Sequence, residues 1–240
     1  DHLARARAVP SRPLPPHHVL PEPIGGADVS IDAAGLVDVP ADGLAHSVAV
    51  RTWPVGLEVA YRAVPRRDPR VFRRVTATID YPSPLLPGPV DVYVGGRLEL
   101  TSPWAGSPGR GQLRIGLGAE DRLKLVRNVR YREETAGLFG GSRRLHTTIE
   151  VQVASSLGRG VRVELLDRLP IPRDGKEPVV EETEAAPVAR PYTGEPDGPI
   201  LKGGRVQWVE VPPGSEARAT LGYAVTLGAR DELVGGDRRG

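Results

Sequence analysis

The chain contains no cysteine and no methionine. The first absence excludes disulfides, thiolate nucleophiles and cysteine-based zinc sites together, and removes any clue to the redox compartment. The second leaves a sequence that opens at Asp1, which we expect to be a fragment, a processed product or the ordered part of something longer, with any signal peptide already gone. Long apolar runs are missing as well: none approaches the roughly 18–20 residues of a membrane helix, so no membrane insertion is expected. Lysine is scarce, with Lys124, Lys176 and Lys202 against 29 arginines, a bias that reads as the imprint of a high-GC bacterial genome rather than of a function. With 32 basic and 30 acidic residues the net charge is only +2, too weak a field to hold a nucleic-acid backbone, so nucleic acid is not expected as a partner.

What the chain does have is punctuation. It carries 29 Gly and 25 Pro in 240 residues, and inside a helix these destabilise by about 1 and about 3 kcal/mol each relative to Ala. Short strands joined by turns suit that composition. We therefore expect an all-β fold, an antiparallel β-sandwich-like architecture with long hairpins and little or no helix. Residues 1–25 hold Pro10, Pro13, Pro15, Pro16, Pro21 and Pro23, which fix φ and remove backbone donors, so they are expected to form a Pro-rich arm or linker. The β domain is expected over 26–230, as one body or as two packed units with a break near 82–105, and a flexible tail over 231–240.

Runs of β type stand at 48–50, 57–61, 71–81, 90–94 and 98–100. Gly95-Gly96 supplies the pair that a tight primed turn wants, which predicts a hairpin of 88–94 with 97–102. Between 123 and 155 the pattern has period two: Leu123, Leu125, Val129 and Tyr131, then Leu145, Ile149, Val151 and Val153, alternate with polar residues, so one face of each run is buried. The Gly-rich stretch 135–142 between them predicts a long antiparallel hairpin. A centre between Leu138 and Phe139 would set Glu133 against Arg144 and Glu134 against Arg143, exposed pairs worth roughly 0.2–1 kcal/mol. Further strands are expected at 160–169 and, as a short edge, at 179–183, followed by loop over 185–204. Residues 205–211 and 217–227 are expected to form a closing hairpin around Pro212-Pro213-Gly214-Ser215, with Val206, Trp208 or Val209, Leu221, Tyr223 and Val225 in the core.

Chemistry is sparse. His17 and His18 lie in the proline-rich arm and His146 on the polar face of its strand, so solvated side chains are expected and no metal or cofactor. There is no G-x-S-x-G, no H-E-x-x-H and no Walker loop. The acid pairs Glu120-Asp121, Glu133-Glu134 and Glu181-Glu182 could in principle hydrolyse a glycosidic bond, but neighbouring acids on a strand point to opposite faces, and solvated edges are the expected setting. No catalytic residue is assigned. The stretch 137–141 with Arg143 and Arg144 joins strands rather than opening a helix, which removes the dipole that helps bind phosphate. It is expected either to offer Leu138, Phe139, Arg143 and Arg144 to a partner, or to fold Phe139 back onto its own sheet. Trp104, in a loop, is a candidate for stacking on a sugar ring, or a staple over the core.

Four stretches in order carry a resemblance: 82–94 with Pro84-Leu85-Leu86-Pro87-Gly88-Pro89-Val90, Gly118-Ala119-Glu120-Asp121-Arg122-Leu123-Lys124, Gly137-Leu138-Phe139-Gly140-Gly141-Ser142-Arg143-Arg144, and Leu166-Asp167-Arg168-Leu169-Pro170. Together they resemble the C-terminal domain of the mucoidy-inhibitor A family, a domain of unknown function (DUF4139), over roughly 38–228. The resemblance implies an antiparallel β fold and a non-enzymatic role at the cell envelope or in an assembly, and supplies no catalytic residues. The expected function is thus an interaction or assembly module, envelope-associated or multimeric, with a protein partner or a second copy; a polysaccharide-binding module is the alternative, and a cryptic glycoside hydrolase stands behind both. The cell envelope or the extracellular space is the expected location.

Overall fold

The computed structural model describes residue 33 and residues 35–136, 141–171, 179–195 and 200–228. Within them every regular element is a strand: β1 (Gly56–Ala63), β2 (Arg70–Asp80), β3 (Gly88–Val94), β4 (Arg97–Trp104), β5 (Arg110–Ala136), β6 (Ser142–Ser155), β7 (Val161–Arg168), β8 (Val179–Ala186), β9 (Arg190–Pro191), β10 (Gly204–Val211) and β11 (Glu216–Gly228). The arm of 1–25, the hairpin tip with Leu138 and Phe139, and the tail of 231–240 lie outside the described residues.

Nine strands form one sheet in the order β8-β11-β6-β5-β2-β1-β7-β10-β9, and β3 and β4 form a separate hairpin. β5 is the spine. Over 27 residues it pairs with β2 along its first half and with β6 along its second, so a single strand feeds both parts of the sheet. The sheet folds back on itself, and β10 packs against β11 across one core. Val153, Leu221 and Val225 on one side meet Val163, Val209 and Val211 on the other in that core. Period two does this work: β6 alternates half-buried and buried side chains from Arg144 to Ser155, as a strand with one covered face must.

The all-β expectation holds, and the 88–94/97–102 hairpin is present as β3 and β4, with Gly95 and Gly96 at φ of 58° and 79° as a primed turn requires. β8 is an edge strand as expected. Other details differ. β1 pairs with β7 in parallel through Tyr61, Arg62 and Ala63, the one parallel ladder of the described sheet. The long hairpin is present, but its register is one residue from the expected one: Glu134 faces Arg144 and Glu133 faces Leu145. Residues 48–50 form no strand, and Arg190–Pro191 makes a short strand inside the expected loop.

The closing hairpin is also corrected. β10 pairs with β7 and β9, and β11 with β6 and β8, so the 212–215 turn crosses between layers rather than joining hydrogen-bonded neighbours. On β10 Val206, Val209 and Val211 are buried, Val206 as expected, and of the two alternatives Trp208 and Val209 it is Val209 that is core, while Trp208 lies half-buried on the outer face.

Candidate functional site

Three arrangements gather the side chains with chemistry to offer. The first is a row across the outer face. Cα register places Phe72 of β2, Arg62 of β1, Glu164 of β7 and Trp208 of β10 side by side. Arg62 donates through Nε to Glu164 at 2.7 Å and through Nη1 to Tyr192 Oη at 3.3 Å and to Glu195, while Arg74 donates to the same Glu195 oxygen at 2.8 Å and Tyr192 donates its hydroxyl to it at 3.1 Å. Burial alone would raise the Glu195 carboxyl, but the hydrogen bonds and charges of Arg62 and Arg74 outweigh it and hold the group at about 2. The segment carrying Tyr192 reaches this row because Gly204 leaves space: a Cβ there would collide with the Tyr192 carbonyl. The Trp208 ring is flanked by the guanidiniums of Arg162 and Arg190, 5.3 and 5.6 Å from its centroid.

The second arrangement lies between the layers. Arg127 stands on the inward face of β5, opposite core residue Val151, and meets Asp167 of β7 at 3.6 Å, both side chains being only 12% exposed. Gln207 of β10 donates to the carbonyls of Thr220 and Pro187 on the other side, at 2.9 and 2.6 Å, and Arg205 reaches Glu182 of β8 at 2.8 Å. Each of these contacts ties β7 or β10 to the opposite layer, where apolar packing alone would permit sliding. Among the expected solvated acids, Glu120 is a correction: it is buried on β5, with Arg122 donating to it at 2.8 and 3.0 Å and Arg73 nearby at 3.9 Å. The hydrogen bonds from Arg122 prevail over burial and lower its proton affinity. Asp42, Asp68, Glu120 and Glu195 are all held below the ordinary carboxylate range, a direction that favours permanent ion pairs over proton donation.

The third is apolar. β1 is flanked by β2 along Gly56–Arg62 but by β7 only from Tyr61 onward, so its first part runs along an open edge of the described sheet. Leu57 is 64% and Val59 43% exposed there. The β3–β4 hairpin adds exposed Tyr93, Val94 and Leu98.

Of the side chains singled out in the sequence, Arg143 lies near Glu133 at 3.8 Å and Arg144 bonds Glu181 of β8, so the structure sets both in ion pairs on different faces of the hairpin. Trp104 ends β4 half-buried and lines a cleft of about 120 Å³ with Val90, Leu113 and Ile115. His146 sits 3.3 Å from Glu134 on the outer face. Sequence reasoning missed Arg62, Glu164 and Glu195, whose contacts join residues more than a hundred positions apart. It also passed over Arg127, although that arginine occupies an apolar slot in the period-two pattern. Among the described residues no group of histidines and carboxylates could hold a metal, and no helix is long and apolar enough to cross a membrane.

A family model described as a domain of unknown function (DUF4139) matches residues 4–228. No curated protein and no solved structure matches the chain.

Proposed function

Because the chain belongs to the DUF4139 family, whose description states no activity, we propose from its geometry that it is a protein-interaction module of β-sandwich type that works through strand edges and apolar surface. One observation carries this reading: Arg62, Arg74 and Arg127 close on carboxylates of the same chain, whereas Val55, Leu57 and Val59 at the β1 edge and Tyr93, Val94 and Leu98 on the β3–β4 hairpin stand exposed. An unpaired strand presents a row of backbone donors and acceptors, and apolar side chains beside it favour strand addition over solvent. The resemblance to the mucoidy-inhibitor A family favours an assembly at the bacterial envelope as the setting.

Polysaccharide binding is the second reading, anchored on Trp104. The cleft beside that indole, about 120 Å³, is smaller than the roughly 300–1,000 Å³ of typical ligand pockets, which is why it stands second. Sedimentation velocity of the full chain, alone and after crosslinking in cells that express it, tests the first reading. Association that weakens when Leu57 and Leu98 are replaced by serine is the expected result; a strictly monomeric chain without crosslinked partners overturns it.

A further inference from the structure

Resting on the interaction reading above, we propose that β1 is a homotypic edge: the segment Val55 to Val59 pairs antiparallel with the same segment of a second copy, Leu57 of each facing Leu57 of the other. Side-chain pattern, charge and guarding of the edges all point to this occupant.

Val55, Leu57 and Val59 are 39%, 64% and 43% exposed and recur at every second position, on the face that runs on into core residue Tyr61. In an antiparallel pair of identical strands centred on Leu57, Val55 of one copy stands opposite Val59 of the other, so apolar meets apolar on one face. On the other face Gly56 stands opposite Glu58, and no like charges meet. A centre at Glu58 would set the two carboxylates directly against each other. A one-residue slip would turn the apolar face of one copy toward the polar face of its neighbour. Pro54, which lacks an N–H, bounds the pairing upstream, and β7 occupies the edge from Tyr61 downstream.

The two outermost strands of the sheet are guarded. β8 presents exposed Glu181, Glu182 and Glu184, and β9 is only two residues long and ends in Pro191. Charges, proline and short length are the devices that block strand addition, and the open part of β1 has Glu58 alone. A pairing this short buries little area, so the association is expected to be weak and concentration-dependent.

The natural chain has no cysteine, so Leu57→Cys introduces a single thiol at the proposed two-fold. Under mild oxidation of the full chain, L57C is expected to give a covalent dimer, and E58C to give none because its counterpart is Gly56. Leu57→Lys is expected to weaken wild-type self-association by roughly tenfold or more with the far-UV spectrum unchanged. Equal crosslinking of L57C and E58C, undiminished association of L57K, or a wild type that stays monomeric at millimolar concentration overturns the pairing. A monomeric wild type that still crosslinks to other proteins removes the homotypic edge and leaves the interaction reading standing; one that crosslinks to nothing removes both.

Discussion

Along β5, Leu123, Leu125 and Val129 face a second layer of sheet, whereas Leu113 and Ile115, earlier on the same strand, lie in a single layer flanked by the β3–β4 hairpin. Each region carries an exception to the usual sorting of side chains. The double-layered region encloses charge, with Arg127 and Asp167 between its layers; the single-layered region exposes Leu57 and Val59. A closed core can hold an ion pair because its many apolar neighbours already fix the fold, and the pair then fixes how the layers align. An open edge left apolar contributes little to the stability of the isolated chain, and its use lies in what covers it.

The largest expected effect breaks the charged side of this comparison. Asp167→Ala leaves Arg127 between the layers without that carboxylate and should lower unfolding stability by about 3–5 kcal/mol, while the double replacement Arg127→Met with Asp167→Leu should recover most of the loss. Urea denaturation of the three chains decides it; equal losses in single and double variants would mean that the pair does not act as a unit. Next comes the core itself: Val153→Ala, at a fully buried position, should destabilise by about 2 kcal/mol, well above the same change at Val59. Smaller still is the acid response of the outer row. The Glu195 carboxyl is depressed to about 2, so its contribution is complete above the ordinary carboxylate range and is lost as pH falls toward 2. Glu195→Gln should flatten the decline of the urea midpoint between roughly pH 4.5 and 2, and an unchanged decline would show that Arg62 and Arg74 do not depend on it. The smallest is Leu57→Lys, expected to shift stability by no more than about 0.5 kcal/mol while weakening self-association.

Much of the fold was legible because it is local. Gly95-Gly96 specifies its hairpin through backbone conformation, and period two exposes the buried faces of β5 and β6. The misread features are non-local. Pro212-Pro213-Gly214-Ser215 has the residues of a hairpin turn, and nothing in them tells a turn within a sheet from one that crosses between layers. The pattern left Trp208 and Val209 as alternatives for the core, and the structure selects Val209. The one-residue register error arises at a Gly-rich connection, whose composition does not specify where the turn is centred. The site was less legible than the fold. Arg62 and Glu164 become neighbours only through the parallel β1–β7 ladder, and parallel pairing leaves no turn in the sequence to announce it; Glu195 arrives on the segment of Tyr192 that Gly204 admits. The bare edge of β1 arises in the same way, since its ladder with β7 begins at Tyr61 rather than at Gly56.

Amide hydrogen exchange across a concentration series reads both kinds of edge in one experiment. Protection of Leu57 and Val59 should rise with chain concentration, while Glu181, Glu182 and Glu184 on β8 should exchange at a constant rate. Protection at Leu57 and Val59 that does not change with concentration, or that rises equally on β8, would contradict the assignment of β1 as the contact edge.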